Sequence, residues 1–184
     1  MKKFYCIALS FAALISLESC NGSSKSNTHT QTDEQSITGE CTSSLIEEEN
    51  PYIDNSLTTG KVPYSCKNVS GSQSTITVKT GASENDVVVI IKTGETMVRN
   101  AYIVGGDSYT FNLPNGNYQV FFYGGKGWNP EKQMPNGDMG GFVVNESFSK
   151  DKPVTLVYQG LEYELILQQN GNFSTELSSA SEMF

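Results

Sequence analysis

Cys20 carries the clearest chemistry in this chain. Its thiol closes the tetrapeptide 17–20, in which Leu17 and Ser19 match the Leu-small-small-Cys pattern that a lipoprotein signal peptidase cleaves. A diacylglyceryl group would be attached to this thiol through a thioether, and cleavage before Cys20 would remove the preceding residues. Glu18 departs from the pattern, because that position is usually small and uncharged.

The residues before Cys20 have the composition of a leader. A Lys-Lys pair follows Met1, and an apolar stretch covers residues 4–17. The stretch is shorter than the roughly 20 apolar residues that a spanning helix needs, so we expect a cleaved signal peptide over residues 1–19. An ordinary secretory signal and a cytosolic protein with an apolar start are the alternatives. The whole pattern resembles the lipoproteins of Bacteroidetes-type bacteria.

This resemblance implies a location in the cell envelope, with a lipid at Cys20 holding the protein to a membrane that we expect to be the outer one. The periplasmic face is favoured over the cell surface, because residues 21–25 lack the acidic run of a surface-export signal in similar lipoproteins. The formal net charge of −8, without basic patches, argues against nucleic acid as a partner. It also argues against electrostatic docking on anionic lipids. We expect a monomer.

Two cysteines remain besides Cys20 and the leader's Cys6. In an oxidising envelope Cys41 and Cys66 predict a disulfide, worth about 3 kcal/mol by the chain-entropy estimate. Two free thiols are the alternative. A zinc site is not expected, because the chain has no CxxC spacing and its one histidine, His29, lies in a polar stretch. No cofactor is expected.

The chain after the leader divides into a tether and one domain. Residues 20–50 are rich in Ser, Thr, Asn and Gln, which predicts a flexible polar tether. The acidic run Glu47–Glu49 could bind calcium, although a solvated turn is favoured. The folded domain is expected over residues 51–184, with its core at 70–170, an irregular lead-in at 52–65 and no helix in its tail.

Alternation of polar and apolar residues predicts an all-β fold, an antiparallel β-sandwich of seven or eight short strands. The continuous β-branched run Val87–Ile91 predicts a strand buried on both faces. Residues 124–141, with six glycines, are expected to form a long irregular loop. The last two strands are expected to pair across Gln159–Gly160. A bend is predicted between the short strands Phe142–Val144 and Glu146–Phe148. The other predicted strands are Ser74–Lys79, Val87–Ile91, Met97–Val104, Ser108–Leu113, Tyr118–Tyr123, Val154–Tyr158 and Leu161–Leu167.

The stretch from Asp86 to Tyr123 resembles transthyretin-like and carboxypeptidase-regulatory-like β-sandwich domains. The likeness rests on Gly106–Phe111 and on Leu113–Tyr118, which reads Leu-Pro-x-Gly-x-Tyr. It implies a transthyretin-like or Ig-like sandwich. The longer run from residue 63 to residue 184 resembles domains that recur in secreted Bacteroidetes proteins. Neither resemblance implies an activity, since a fold does not specify chemistry.

The residue pattern predicts that the protein is not an enzyme. It contains no Gly-x-Ser-x-Gly, no usable histidine and no phosphate-binding glycine motif. Two carboxylates could still meet in space as a catalytic pair. Each candidate is better explained as a solvated turn residue or an outward-facing strand residue. These candidates are Asp107, Asp138, Glu146, Glu162 and Glu164.

A binding or accessory module of unknown molecular function is the expected role, and glycan binding is one alternative. Aromatic rings beside amides and carboxylates suit a sugar. The candidate ligand-binding residues around the 124–141 loop are Tyr123, Trp128, Asn129, Asp138 and Phe142. The competing interpretation, which we favour, is that Trp128 caps the core, because large aromatics are highly buried on average. A structural or adhesion subunit is the other alternative, but assembly by loss of a front strand is disfavoured because the first arginine is Arg99.

Overall fold

The computed structural model describes residues 2–7, 50–166 and 176–184, all of which lie in a compact unit formed by Met1–Leu9 and Glu49–Phe184. Cys20, Cys41, His29, Glu47–Glu49 and most of the predicted tether lie outside the described residues. The described elements are β1 Lys2–Ile7, β2 Ser74–Thr80, β3 Asp86–Thr93, β4 Thr96–Ile103, β5 Ser108–Leu113, β6 Gly116–Gln133, β7 Met139–Lys150, β8 Val154–Leu156, β9 Gly160–Ile166, β10 Glu176–Leu177 and α1 Ala180–Met183.

The strands form two sheets, which confirms the predicted all-β sandwich. The first sheet has the order β1-β9-β2-β5, and the second has the order β10-β7-β6-β3-β4 with β8 paired to the start of β6. Most neighbours are antiparallel, but β9 runs parallel to both β1 and β2. Most strands are short, as predicted, although β6 has 18 residues.

The last two predicted strands, Val154–Tyr158 and Leu161–Leu167, were expected to pair with each other, and this prediction is wrong. β8 pairs with Gly116–Tyr118 in the second sheet, whereas β9 pairs with β2 in the first. Residues 157–159 thus connect the two sheets and do not close a hairpin. Alternation identifies a strand and its buried face, but it does not specify the neighbouring strand.

The second sheet is buried on both faces, as the β-branched run of β3 predicted. Val89 and Ile91 point into the first hydrophobic cluster, which fills the space between the sheets. Val88 and Ile90 point the other way, into a second cluster on the outer face of the same sheet. Both clusters consist largely of fully buried aliphatic and aromatic side chains, so burial drives the packing on each face.

The lead-in and the C-terminal tail cover this outer face. Gly60 donates its N–H to the carbonyl of Tyr102, and Tyr102 donates to the carbonyl of Lys61, both at 2.8 Å, so the lead-in pairs along the outer edge of β4. The tail ends in the helix α1, contrary to the expectation, and its Met183 is fully buried in the second cluster. Within the described residues, no helix has the length and apolar character to cross a membrane.

Candidate functional site

The glycine-rich stretch expected as an irregular loop is the long hairpin of β6 and β7. Trp128 pairs with Phe142 across this hairpin. Gly127 has a φ of 72°, and a Cβ there would lie 2.6 Å from the carbonyl oxygen of Tyr52. Gly140 has a φ of 111°, and a Cβ there would lie 2.5 Å from the Trp128 ring. These glycines therefore permit close packing inside a strand, where the sequence was interpreted as a loop.

Trp128 lies in the second cluster and is 3% exposed. Its ring meets the Tyr102 ring edge-on at 5.4 Å and the Phe142 ring edge-on at 5.3 Å, measured between centroids. Its backbone is fixed to the lead-in, because its N–H donates to the Asn55 carbonyl at 2.7 Å and its carbonyl accepts from Asn55 Nδ2 at 2.8 Å. The indole thus joins the hairpin, the sheet and the lead-in.

Tyr123 and Phe142 are buried beside it, and the Tyr123 hydroxyl is held in a closed network. This hydroxyl donates to a Glu146 carboxylate oxygen and accepts the Phe142 N–H at 2.7 Å. Lys132 Nζ donates to the other carboxylate oxygen of Glu146, Oε2, at 2.5 Å and to the Phe142 carbonyl at 2.7 Å. Burial, followed by the hydrogen bond to Glu146, raises the pKa of Tyr123 well above its ordinary value. The network fastens the two hairpin strands to each other.

The two polar residues predicted with these rings make local turn contacts. Asn129 Oδ1 accepts the N–H of Glu131 at 2.8 Å. Asp138 donates its N–H to Asn136 Oδ1 at 2.9 Å and accepts from Asn136 Nδ2 at 2.8 Å. The structure therefore brings Tyr123, Trp128 and Phe142 together as core, with no exposed ring face for a sugar.

Four of the five candidate carboxylates have a local partner, and Asp138 makes the contacts with Asn136 described above. Glu146 belongs to the Tyr123 network, Glu162 is 3.1 Å from Lys79 Nζ, and Asp107 accepts from Thr59 Oγ1 at 2.5 Å. Among the residues that the structure describes, no group of three or more His, Cys, Asp or Glu could hold a metal ion. Cys66 is a half-buried free thiol, and the pairing with Cys41 stays a prediction.

A buried carboxylate that the sequence did not single out lies at the start of β3. Asp86 is 8% exposed and accepts three hydrogen bonds, from the Tyr102 hydroxyl at 2.5 Å, Ser56 Oγ at 2.8 Å and the Gly105 N–H at 2.9 Å. Burial, and then the bond to Asp86, raises the pKa of Tyr102. Because Ser56 belongs to the lead-in, whereas Tyr102 and Gly105 belong to β4 and the turn after it, Asp86 ties the lead-in to the sheet.

The exposed aromatic residue that the sequence analysis did not identify is Tyr158. It is 76% exposed, and within residues 50–165 and 176–184 no other aromatic side chain is exposed. It lies in the connection between β8 and β9, at the end of the sandwich opposite the turn of the β6–β7 hairpin. The sequence signal for this position was weak, because Val154–Tyr158 was interpreted as one strand.

Comparison of the chain with protein-family models, with curated proteins and with solved structures found no match.

Proposed function

We propose that this chain is a lipid-anchored protein of the cell envelope whose β-sandwich is a non-catalytic binding or accessory module. The observation that carries the proposal is the order of a Lys-Lys start, an apolar stretch and Cys20. The lipid would hold the protein to the outer membrane, on the periplasmic face, and residues 21–50 would separate the domain from the lipid headgroups.

The fold is compatible with the proposed transthyretin-like character. The Leu113–Tyr118 motif lies at the turn between β5 and β6, where the Tyr118 hydroxyl donates to the Pro114 carbonyl at 2.8 Å. Tyr118 is buried in the first cluster, so the motif that forms this turn ends in a ring that belongs to the core. This geometry supports the part of the resemblance that rests on the Leu113–Tyr118 motif.

Hydrogen bonding supports a non-catalytic role. In the described residues, every buried side-chain nitrogen or oxygen has a hydrogen-bond partner. In the two most elaborate polar networks, around Asp86 and around Glu146, both carboxylate oxygens accept hydrogen bonds from groups that fasten segments together. A catalytic acid or base must reach the substrate's proton, and these carboxylates are already committed to protein donors.

Removal of the leader would also remove β1, which pairs with β9 at the edge of the first sheet. Within residues 50–165 and 176–184, the buried core residues lie between Tyr64 and Met183, in the part that cleavage would retain. The processed domain would keep β9, β2 and β5 as its first sheet.

Detergent phase partitioning tests the proposal. The full chain, expressed in a bacterium that processes lipoproteins, is expected to enter the detergent phase, and Cys20→Ser is expected to move to the aqueous phase. Cys6→Ser is the matched control, because it removes a leader cysteine and leaves the lipid acceptor in place. Equal partitioning of wild type and Cys20→Ser would contradict the lipid anchor.

A further inference from the structure

One end of the sandwich is built from three segments that contain no charged residue. We call it the uncharged end and define it by segments 68–78, 111–118 and 153–161, none of which contains Asp, Glu, Lys, Arg or His. Sheet pairing brings them together, because the start of β2 pairs with the end of β5 and the start of β9, and the start of β6 pairs with the end of β8. The chain as a whole has 20 acidic and 12 basic residues.

Tyr158 projects from this end in an unfavourable backbone conformation. Its φ is 51°, in the left-handed region that is unfavourable for a residue with a Cβ. Its N–H donates to Asn115 Oδ1 at 2.8 Å, and the same oxygen accepts from Ser74 Oγ at 2.9 Å. The turn at Asn115 therefore fixes the position of an exposed ring, and strain of this kind concentrates at functional sites.

The segments of the uncharged end also carry side-chain amides that have no hydrogen-bond partner among the described residues. The amides of Gln73, Asn117 and Gln159 make no hydrogen bond to another described residue, and these residues are exposed. Asn115 uses its oxygen within the protein, and its Nδ2 has no acceptor among the described residues. The uncharged end thus offers one aromatic face and several neutral donors and acceptors.

This chemistry suits a neutral sugar better than the other ligand classes. An anionic ligand calls for Arg or Lys, and Arg99, which approaches from β4, already donates to the carbonyls of Val69 and Val98. A protein partner typically covers about 800 Å² with an apolar centre, whereas the exposed large apolar side chains here are Val157 and Tyr158 alone. A sugar ring needs one aromatic face and a rim of amides.

We propose that the uncharged end binds a neutral saccharide, with Tyr158 stacking on the sugar ring and the amides of Asn115, Asn117 and Gln159 bonding its hydroxyls. This inference rests on the proposed function, because it assigns a ligand class to the binding module. It places the site at the opposite end of the sandwich from the residues that the sequence had suggested.

Affinity electrophoresis of the full chain in gels containing starch, xylan, mannan or dextran tests the site. Wild type is expected to be retarded by at least one of these polysaccharides, and Tyr158→Ala is expected to weaken that binding at least tenfold. Tyr158→Phe keeps the ring and is expected to retain most of the affinity. Leu177→Ala is the matched control, because Leu177 is 81% exposed on β10, which lies outside the segments that define this end.

Far-UV circular dichroism of each variant verifies folding, so that a loss of binding is not confused with a loss of structure. Migration unaffected by all four polysaccharides would overturn the proposal, as would retardation that Tyr158→Ala leaves unchanged. A protein partner captured through Tyr158 without any retardation by polysaccharide would also overturn it. Failure here with intact detergent partitioning refutes the saccharide site alone, whereas failure of the partitioning refutes the anchor.

Discussion

Replacing Trp128 with alanine distinguishes a core residue from a surface binding platform. The side chain is 3% exposed and meets two aromatic rings edge-on within 5.4 Å. A tryptophan buries about 150–250 Å², which at about 25 cal/mol per Å² corresponds to about 4–6 kcal/mol. Measured costs of truncating large buried aromatics to alanine are about 3–5 kcal/mol. We therefore expect Trp128→Ala to lower the free energy of unfolding by about 4 kcal/mol.

Such a loss is a large part of the about 5–15 kcal/mol that a domain typically has, so the variant is expected to be only marginally folded. Urea denaturation followed by far-UV circular dichroism measures the difference. Trp128 is the only tryptophan, so its fluorescence cannot follow the variant. Tyr158→Ala is the control, and its cost is expected to stay within about 1 kcal/mol because an exposed ring loses little on truncation. A cost below about 1 kcal/mol for Trp128→Ala would refute the core assignment.

Three further predictions concern the polar and glycine positions. Asp86→Ala is expected to lower the free energy of unfolding by about 2–3 kcal/mol, because it leaves buried donors without an acceptor; a cost below about 0.5 kcal/mol in urea denaturation would contradict this. Gly127→Ala is expected to cost more than Gly94→Ala, since both have positive φ but only Gly127 also faces a backbone clash; equal costs would show that space is not limiting. The raised pKa values of Tyr102 and Tyr123 make the neutral phenols the favoured form in the folded state. Their contribution is present below the unfolded value of 10.0 and lost as pH rises above it, so urea midpoints are expected to fall above pH 10, and a flat profile would count against both networks.

The sequence predicted the strands β2 to β5 closely, and the reason is burial. In β2 the apolar residues Ile76 and Val78 alternate with exposed or half-buried ones, as one buried face requires. In β3 the unbroken β-branched run correctly predicted that both faces of the strand are buried. The order of apolar and polar side chains follows burial directly, so strands with one buried face or two could be located from the sequence.

The sequence did not reveal features that depend on distant contacts. Gly127 and Gly140 have the composition of a loop, and their role follows only from the Tyr52 carbonyl and the Trp128 ring that approach them. The partner of β9 depends on how the chain crosses between sheets at residues 157–159. That crossover also determines the exposure of Tyr158, whose neighbours gave no local signal of a left-handed backbone.

The predicted bend between Phe142–Val144 and Glu146–Phe148 is a bulge inside one strand. Asn145 has a φ of 56°, and the pairing of β7 with β6 shifts register there. The sequence therefore located the irregularity but not its kind, because a bend and a bulge both interrupt the alternation.

The mass of the mature protein's N-terminal peptide tests the central claim most directly. Protein isolated from bacterial membranes would be digested and the N-terminal peptide identified by mass spectrometry. The account predicts a first residue Cys20 that carries a diacylglyceryl group, with residues 1–19 absent. An unmodified chain that retains Lys2–Ile7 would contradict the lipid anchor and would make β1 a permanent edge strand of the sandwich.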